Sequence, residues 1–278
     1  MPAERIAENL AFINWTVLTG LAVGSFWAVA LGRLGTAATR GYLGFTAFCA
    51  ALFAVLAVLS DGALPNALTG LGVVLDPTWD GPRRAALWIL AACAAAYVVA
   101  LARGGRAPVI AGAGVAAGGI ALALGALAWG GGLGGAVLLF IQLALLAAAT
   151  GGVWAAMILG HWYLVTPKLA EAPLVLFARI LAAVVAAQLA ASIAWLVIGA
   201  GPAGSPGLGA LTGSWALFVW LRLVVGIVFP LIVCWAAIQT ARSRSMESAT
   251  GLLYINVGTI AAGTILAAGL YFGAGLLV

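Results

Sequence analysis

The chain contains one imidazole, His161, and it lies in a short stretch, Met157 to Leu169, that also holds the sole lysine, Lys168. Trp162 and Tyr163 stand beside it, and Glu171 and Arg179 follow past Pro167. A titratable ring among hydroxyl and cationic donors can exchange a proton and hold a carbonyl oxygen. A second isolated group is Arg222, about eight residues inside a long apolar run. A guanidinium in such surroundings is costly unless paired or hydrated, and ionisable side chains at membrane depth mark candidate sites. One histidine cannot supply two imidazole axial ligands to a haem, and Met157, one turn earlier on the same helix, cannot sit opposite it. Cys49, Cys93 and Cys234 lie in separate apolar runs without Cys-x-x-Cys spacing. They read as small buried hydrophobes, not as metal ligands or disulfides.

Composition dictates what must position these groups. Of 278 residues, 65% are hydrophobic and 7% charged, against about 25% charged in soluble domains. So few charges cannot cover a water-facing surface of this size, and lipid must surround most of the chain. The expected fold class is all-α, a polytopic transmembrane helical bundle. Eight apolar runs approach the roughly 20 residues needed to cross a bilayer. They cover about Leu10–Leu31, Gly41–Leu59, Ala85–Ala102, Val109–Trp129, Leu133–His161, Pro173–Ile198, Ser214–Gln239 and Gly251–Leu277. A polar loop, Asp61–Arg84, separates the second from the third, and a Gly/Pro-rich loop, Gly199–Gly213, the sixth from the seventh. No Asp or Glu is expected inside a span. Pro230 should kink the seventh span and free a carbonyl. The start, MPAERIAENL, carries acids and no basic run, so the first span is expected to act as a signal-anchor rather than a cleaved leader.

Loop charge sets the orientation. Arg33, Arg40, Arg103, Arg106, Lys168, Arg242 and Arg244 fall in alternate loops. The intervening loops and the N-terminal segment hold Arg5, Arg83 and Arg84, diluted by Glu4, Glu8, Asp61, Asp76 and Asp80. The positive-inside rule places the first set in the cytoplasm and both termini outside, in a cell (inner) membrane. The net charge of +5 includes no basic run, so membrane lipid rather than nucleic acid is the expected partner. Three Gly-xxx-Gly pairs, Gly20/Gly24, Gly114/Gly118 and Gly269/Gly273, predict close helix crossings. Trp27-AVALG-Arg33 and Trp154-AAMILG-His161 are similar enough to suggest two four-span repeats, residues 1–130 and 131–278, within a single membrane domain.

Depth groups the polar residues into two candidate sites. A helix from Leu133 reaches His161 after about 40 Å, beyond a hydrocarbon core of about 30 Å, so His161 lies at the cytoplasmic headgroup level. Tyr163, Lys168 and Arg179 fall near that depth, as do Tyr254 and Asn256 on the eighth span. Together they suit a quinone, which needs carbonyl donors, a proton-exchanging group and an apolar cleft; interfacial anchoring is the plainer role. Arg222 lies near the other side, with Gln142 and Asn14 as expected partners. Gln188 with Ser192, and Asn256 with Thr259, read as interhelical glue.

The span count and length resemble the membrane anchors of polysulfide and dimethyl sulfoxide reductases, a resemblance of architecture that extends to no motif. It implies a quinol-binding membrane subunit with redox cofactors in partner subunits. The leading expectation is therefore an integral subunit of an electron-transfer complex that binds no cofactor alone except a quinone. The alternatives are a transporter or channel for a small anion, using Arg222, and a structural or assembly subunit.

Overall fold

In lipid, main-chain polar groups find no water, so long apolar runs close their hydrogen bonds within helices. The computed structural model, which describes residues 1–65, 73–166, 169–202 and 205–278, follows that rule. Among the described residues it is all-helical, with eight helices long and apolar enough to cross a membrane. A short helix, α1 (Pro2–Glu8), precedes the spans α2 (Leu10–Gly35), α3 (Arg40–Gly62), α4 (Asp80–Ala102), α5 (Pro108–Trp129), α6 (Leu133–Val165) and α7 (Ala172–Ile198). The seventh span is built from α8 (Ala216–Leu223), a π-helical turn (Val224–Val228) and α9 (Phe229–Arg242), and the eighth is α10 (Met246–Ala274).

Local sequence explains the ends. Thr39 caps α3 by accepting from the Tyr42 amide, and prolines occupy the first turn of α5 and α7, where no N–H is needed. Gly199 and Gly275 end α7 and α10 at positive φ, 64° and 68°. The π turn ends two residues before Pro230. Proline has no N–H for the carbonyl four residues earlier, so the ladder opens there and one extra residue is accommodated.

Two spans run further than expected. The second continues through Asp61, and the third begins at Asp80, so Asp61, Arg83 and Arg84 belong to helices rather than to the loop between them. The expectation of spans free of carboxylates is corrected accordingly: Asp61 is buried in the last turn of α3.

Helices α2 and α6 cross through glycine. A Cβ on Gly24 would stand 1.8 Å from the Ala147 carbonyl oxygen, and one on Gly151 2.2 Å from the Ser25 nitrogen. The other two glycine pairs also mark contacts: Gly114 and Gly118 receive Phe26 and Val23, while Gly269 and Gly273 receive Ile6 and Trp215. One apolar core runs continuously from α2 to α10.

The chain ends of the helices gather at two poles. At one, Trp162 lies over Gly41, Arg40 reaches Gly104, and Arg244 pairs with Glu171 at 3.6 Å. This basic end also carries Arg33, Arg103 and Arg106. At the other, the Asp61 end, the Asp76 amide bonds the Ala128 carbonyl and Tyr271 donates to the Trp129 carbonyl.

Candidate functional site

The residues around His161 do not form one pocket. Positions two apart on a helix differ by about 200°, so they face away from each other. His161 turns outward into a groove with Phe45, Trp154, Met157, Trp162 and Tyr254, a cavity of about 340 Å³. Tyr163 turns inward, is buried, and donates to the Ala170 carbonyl, tying the following loop to α6. The same geometry splits Tyr254 from Asn256. Tyr254 faces the groove, while Asn256 is fully buried against α9, donating to Cys234 Sγ (3.1 Å) and the Pro230 carbonyl (3.4 Å) and accepting from Thr259 Oγ1 (3.1 Å). Arg179 is exposed and does not line the groove. Lys168, with Pro167, lies outside the described residues. Of the four expected ligands at this end that are described, His161 alone lines the cavity, and Tyr254 joins it there.

Arg222 is buried to 2% exposure, and each of its nitrogens is bonded. Nη1 donates to the Gly226 carbonyl (3.1 Å), Nη2 to Gln188 Oε1 (2.9 Å) and Nε to the Val278 main-chain oxygen (3.3 Å). The Gly226 carbonyl is the one that Pro230, four residues on, leaves without its helical donor. The guanidinium thus repairs the break that proline makes in its own span. Gly226 packs directly on Gly263, where a Cβ on either would fall 2.6 Å or less from the other's Cα. The stripe Asn256–Thr259–Gly263 is therefore the seam between the seventh and eighth spans.

Of the two expected partners of Arg222, Gln142 lines the same small cavity but makes no direct bond to it. Asn14 is elsewhere: it is exposed and donates to Ser60 Oγ at 3.1 Å. Gln188, expected only to glue helices, is the true partner and also donates to the Leu145 carbonyl at 2.9 Å. Gln142 Oε1 and Ser192 Oγ are buried beside it without a partner among the described residues. The cavity they share with Arg222 measures about 10 Å³, room for about one water. Gln188→Leu removes an acceptor from a buried cation and is expected to lower stability by about 2–3 kcal/mol. Asn14→Leu, at an exposed position, is expected to cost under about 1 kcal/mol; thermal unfolding of the two variants in one detergent checks the order.

The third locus, at the Asp61 end, was not expected. Asp61 and Arg83 are each 1% exposed and bonded at 2.6 Å through Nε. Asp61 also accepts from Trp15 Nε1 (2.9 Å) and Arg84 Nε (3.1 Å), and Arg83 Nη1 reaches Asp80 at 2.9 Å. The Arg83 guanidinium stands 4.7 Å from the centre of Trp129 and 5.7 Å from Trp15, close enough for cation–π attraction. Nearby, hydrogen bonds from Thr78 hold the Asp76 carboxyl below the usual carboxylate range. Every oxygen of Asp61 is engaged, so this cluster clamps α2, α3 and α4 together.

Comparison with protein-family models, curated proteins and solved structures finds no match.

Proposed function

We propose that the chain is a membrane subunit of an electron-transfer complex whose His161 groove takes the headgroup of a quinone. The observation that carries this reading is the composition of the groove. It is an almost wholly apolar cavity of about 340 Å³ walled by Phe45, Trp154, Met157, Ile158 and Trp162, with His161 and Tyr254 also on its lining. Aromatic and thioether walls suit a flat ring. An imidazole and a phenol can each donate to one carbonyl, and imidazole exchanges protons near neutral pH. The groove opens on the side of the bundle, where an isoprenoid tail could remain in lipid. By the positive-inside rule it lies at the cytoplasmic leaflet. Redox centres would belong to partner subunits.

Passage of an anion past Arg222 has less support. A site with room for one water admits no solute, and the guanidinium is occupied in holding the π turn.

His161→Ala is expected to reduce quinol-dependent electron flow in membranes of the parent organism by about 100-fold, the usual scale for loss of a positioned proton-transfer group. His161→Ala with unchanged flow and unchanged protein level overturns the proposal.

A further inference from the structure

A larger cavity, about 580 Å³, opens at the basic end between α2 and α5, apart from the His161 groove. Its volume falls within the roughly 300–1,000 Å³ of small-molecule sites. Arg33, in the last turn of α2, and Arg106, just before α5, both line it. Below them the wall is apolar and made by small residues, Ala30, Ala111 and Gly112. A Cβ on Gly112 would meet nothing within 4 Å, so the trough there is open. The wall also includes Val115, whose carbonyl accepts from Trp27 Nε1 at 3.2 Å, a bond that staples α5 to α2.

The charge on this face is one-sided. The loops 36–39 and 103–107 contain no Asp or Glu. Among the described residues none of Arg33, Arg40, Arg103 and Arg106 forms a salt bridge, and Glu171 of the neighbouring loop is engaged by Arg244. Two guanidiniums sharing the mouth of an apolar-walled cavity repel each other unless an anion lies between them. They stand where α2 ends and α5 begins, which is headgroup depth. The chemistry that fits is a phosphodiester, which guanidinium binds through paired N–H groups, carrying an apolar chain that can lie along the trough.

We propose that this cavity binds one anionic glycerophospholipid, its phosphodiester between Arg33 and Arg106 and an acyl chain against Ala30, Ala111 and Gly112. Basic pockets between spans on the cytoplasmic side recognise anionic headgroups in this way. A free phosphate would satisfy the arginines and leave the trough empty.

The test uses the full chain in detergent, with lipid retention read by native mass spectrometry. The probes are phosphatidylglycerol, phosphatidylcholine of the same acyl chains, and inorganic phosphate. The wild type is expected to retain one phosphatidylglycerol, about tenfold or more in preference to phosphatidylcholine, and excess inorganic phosphate should not displace it. Arg33→Gln with Arg106→Gln should abolish the preference. Gly112→Leu should displace the lipid while leaving both arginines, and open space at that position lets it fold. Equal retention of the two lipids by the wild type, ready displacement by inorganic phosphate, or unchanged retention in Gly112→Leu would each overturn the proposal. His161→Ala should leave the preference as it is, so this site and the groove fail or stand separately.

Discussion

Asp61→Asn is expected to destabilise the folded protein by about 3–5 kcal/mol, the cost of breaking a buried ion pair from one side. The substitution keeps shape and removes one charge. It leaves the Arg83 guanidinium, 1% exposed, with Asp80 alone as a carboxylate partner. Arg83→Gln should cost a similar amount, because Asp61 then retains only Trp15 and the half-exposed Arg84. The two changes together should cost much less than their sum, since each removes the charge that the other leaves stranded. Arg84→Gln should cost under about 1 kcal/mol, as exposed pairs generally do. Thermal unfolding of the four variants in one detergent decides the matter. A loss below about 0.5 kcal/mol for Asp61→Asn would show that the cluster is incidental.

Gly151→Val is expected to prevent normal assembly of the bundle. The new Cβ would fall 2.2 Å from the Ser25 nitrogen and 2.4 Å from the Gly24 carbonyl carbon. Both are main-chain atoms of a helix and cannot step aside, so α2 and α6 must separate. Overpacking that side chains can absorb costs about 1–3 kcal/mol; here the cost should exceed that range. Separation would also break the hydrogen bond from Ser25 Oγ to the Gly151 carbonyl, 3.4 Å long, that joins α2 to α6. Gly119→Ala is the control. Its Cβ meets nothing within 4 Å, so relief of glycine's backbone entropy should make it neutral or stabilising by up to about 1 kcal/mol. Size-exclusion profiles and thermal unfolding separate the two outcomes, and wild-type behaviour of Gly151→Val would mean that α2 and α6 do not cross there.

The spans were legible because lipid leaves few choices: an apolar run of sufficient length must be helical. One close crossing was legible too: Gly20 and Gly24 meet the backbone of α6, whereas Gly114, Gly118, Gly269 and Gly273 receive side chains instead. Side-chain partners were much less legible. A helix apolar on every side gives no clue to its azimuth, so depth alone linked Arg222 to Gln142 and Asn14 and missed Gln188. Closeness in sequence also misled at His161 and Tyr163. They are two positions apart and therefore point to opposite faces, which the helical repeat alone implies. Asp61 was read as the start of a polar loop because the apolar run stops at Leu59. The signal for its burial was the basic pair Arg83–Arg84 at the far side of the same loop.

Photolabelling with an azidoquinone tests the functional account most directly. With the full chain in lipid nanodiscs, labelled peptides should map to Trp154–Trp162 and to Tyr254, unlabelled quinone should compete, and His161→Ala should suppress the signal. Labelling spread evenly over the lipid-facing helices, insensitive to both competitor and His161→Ala, would contradict it.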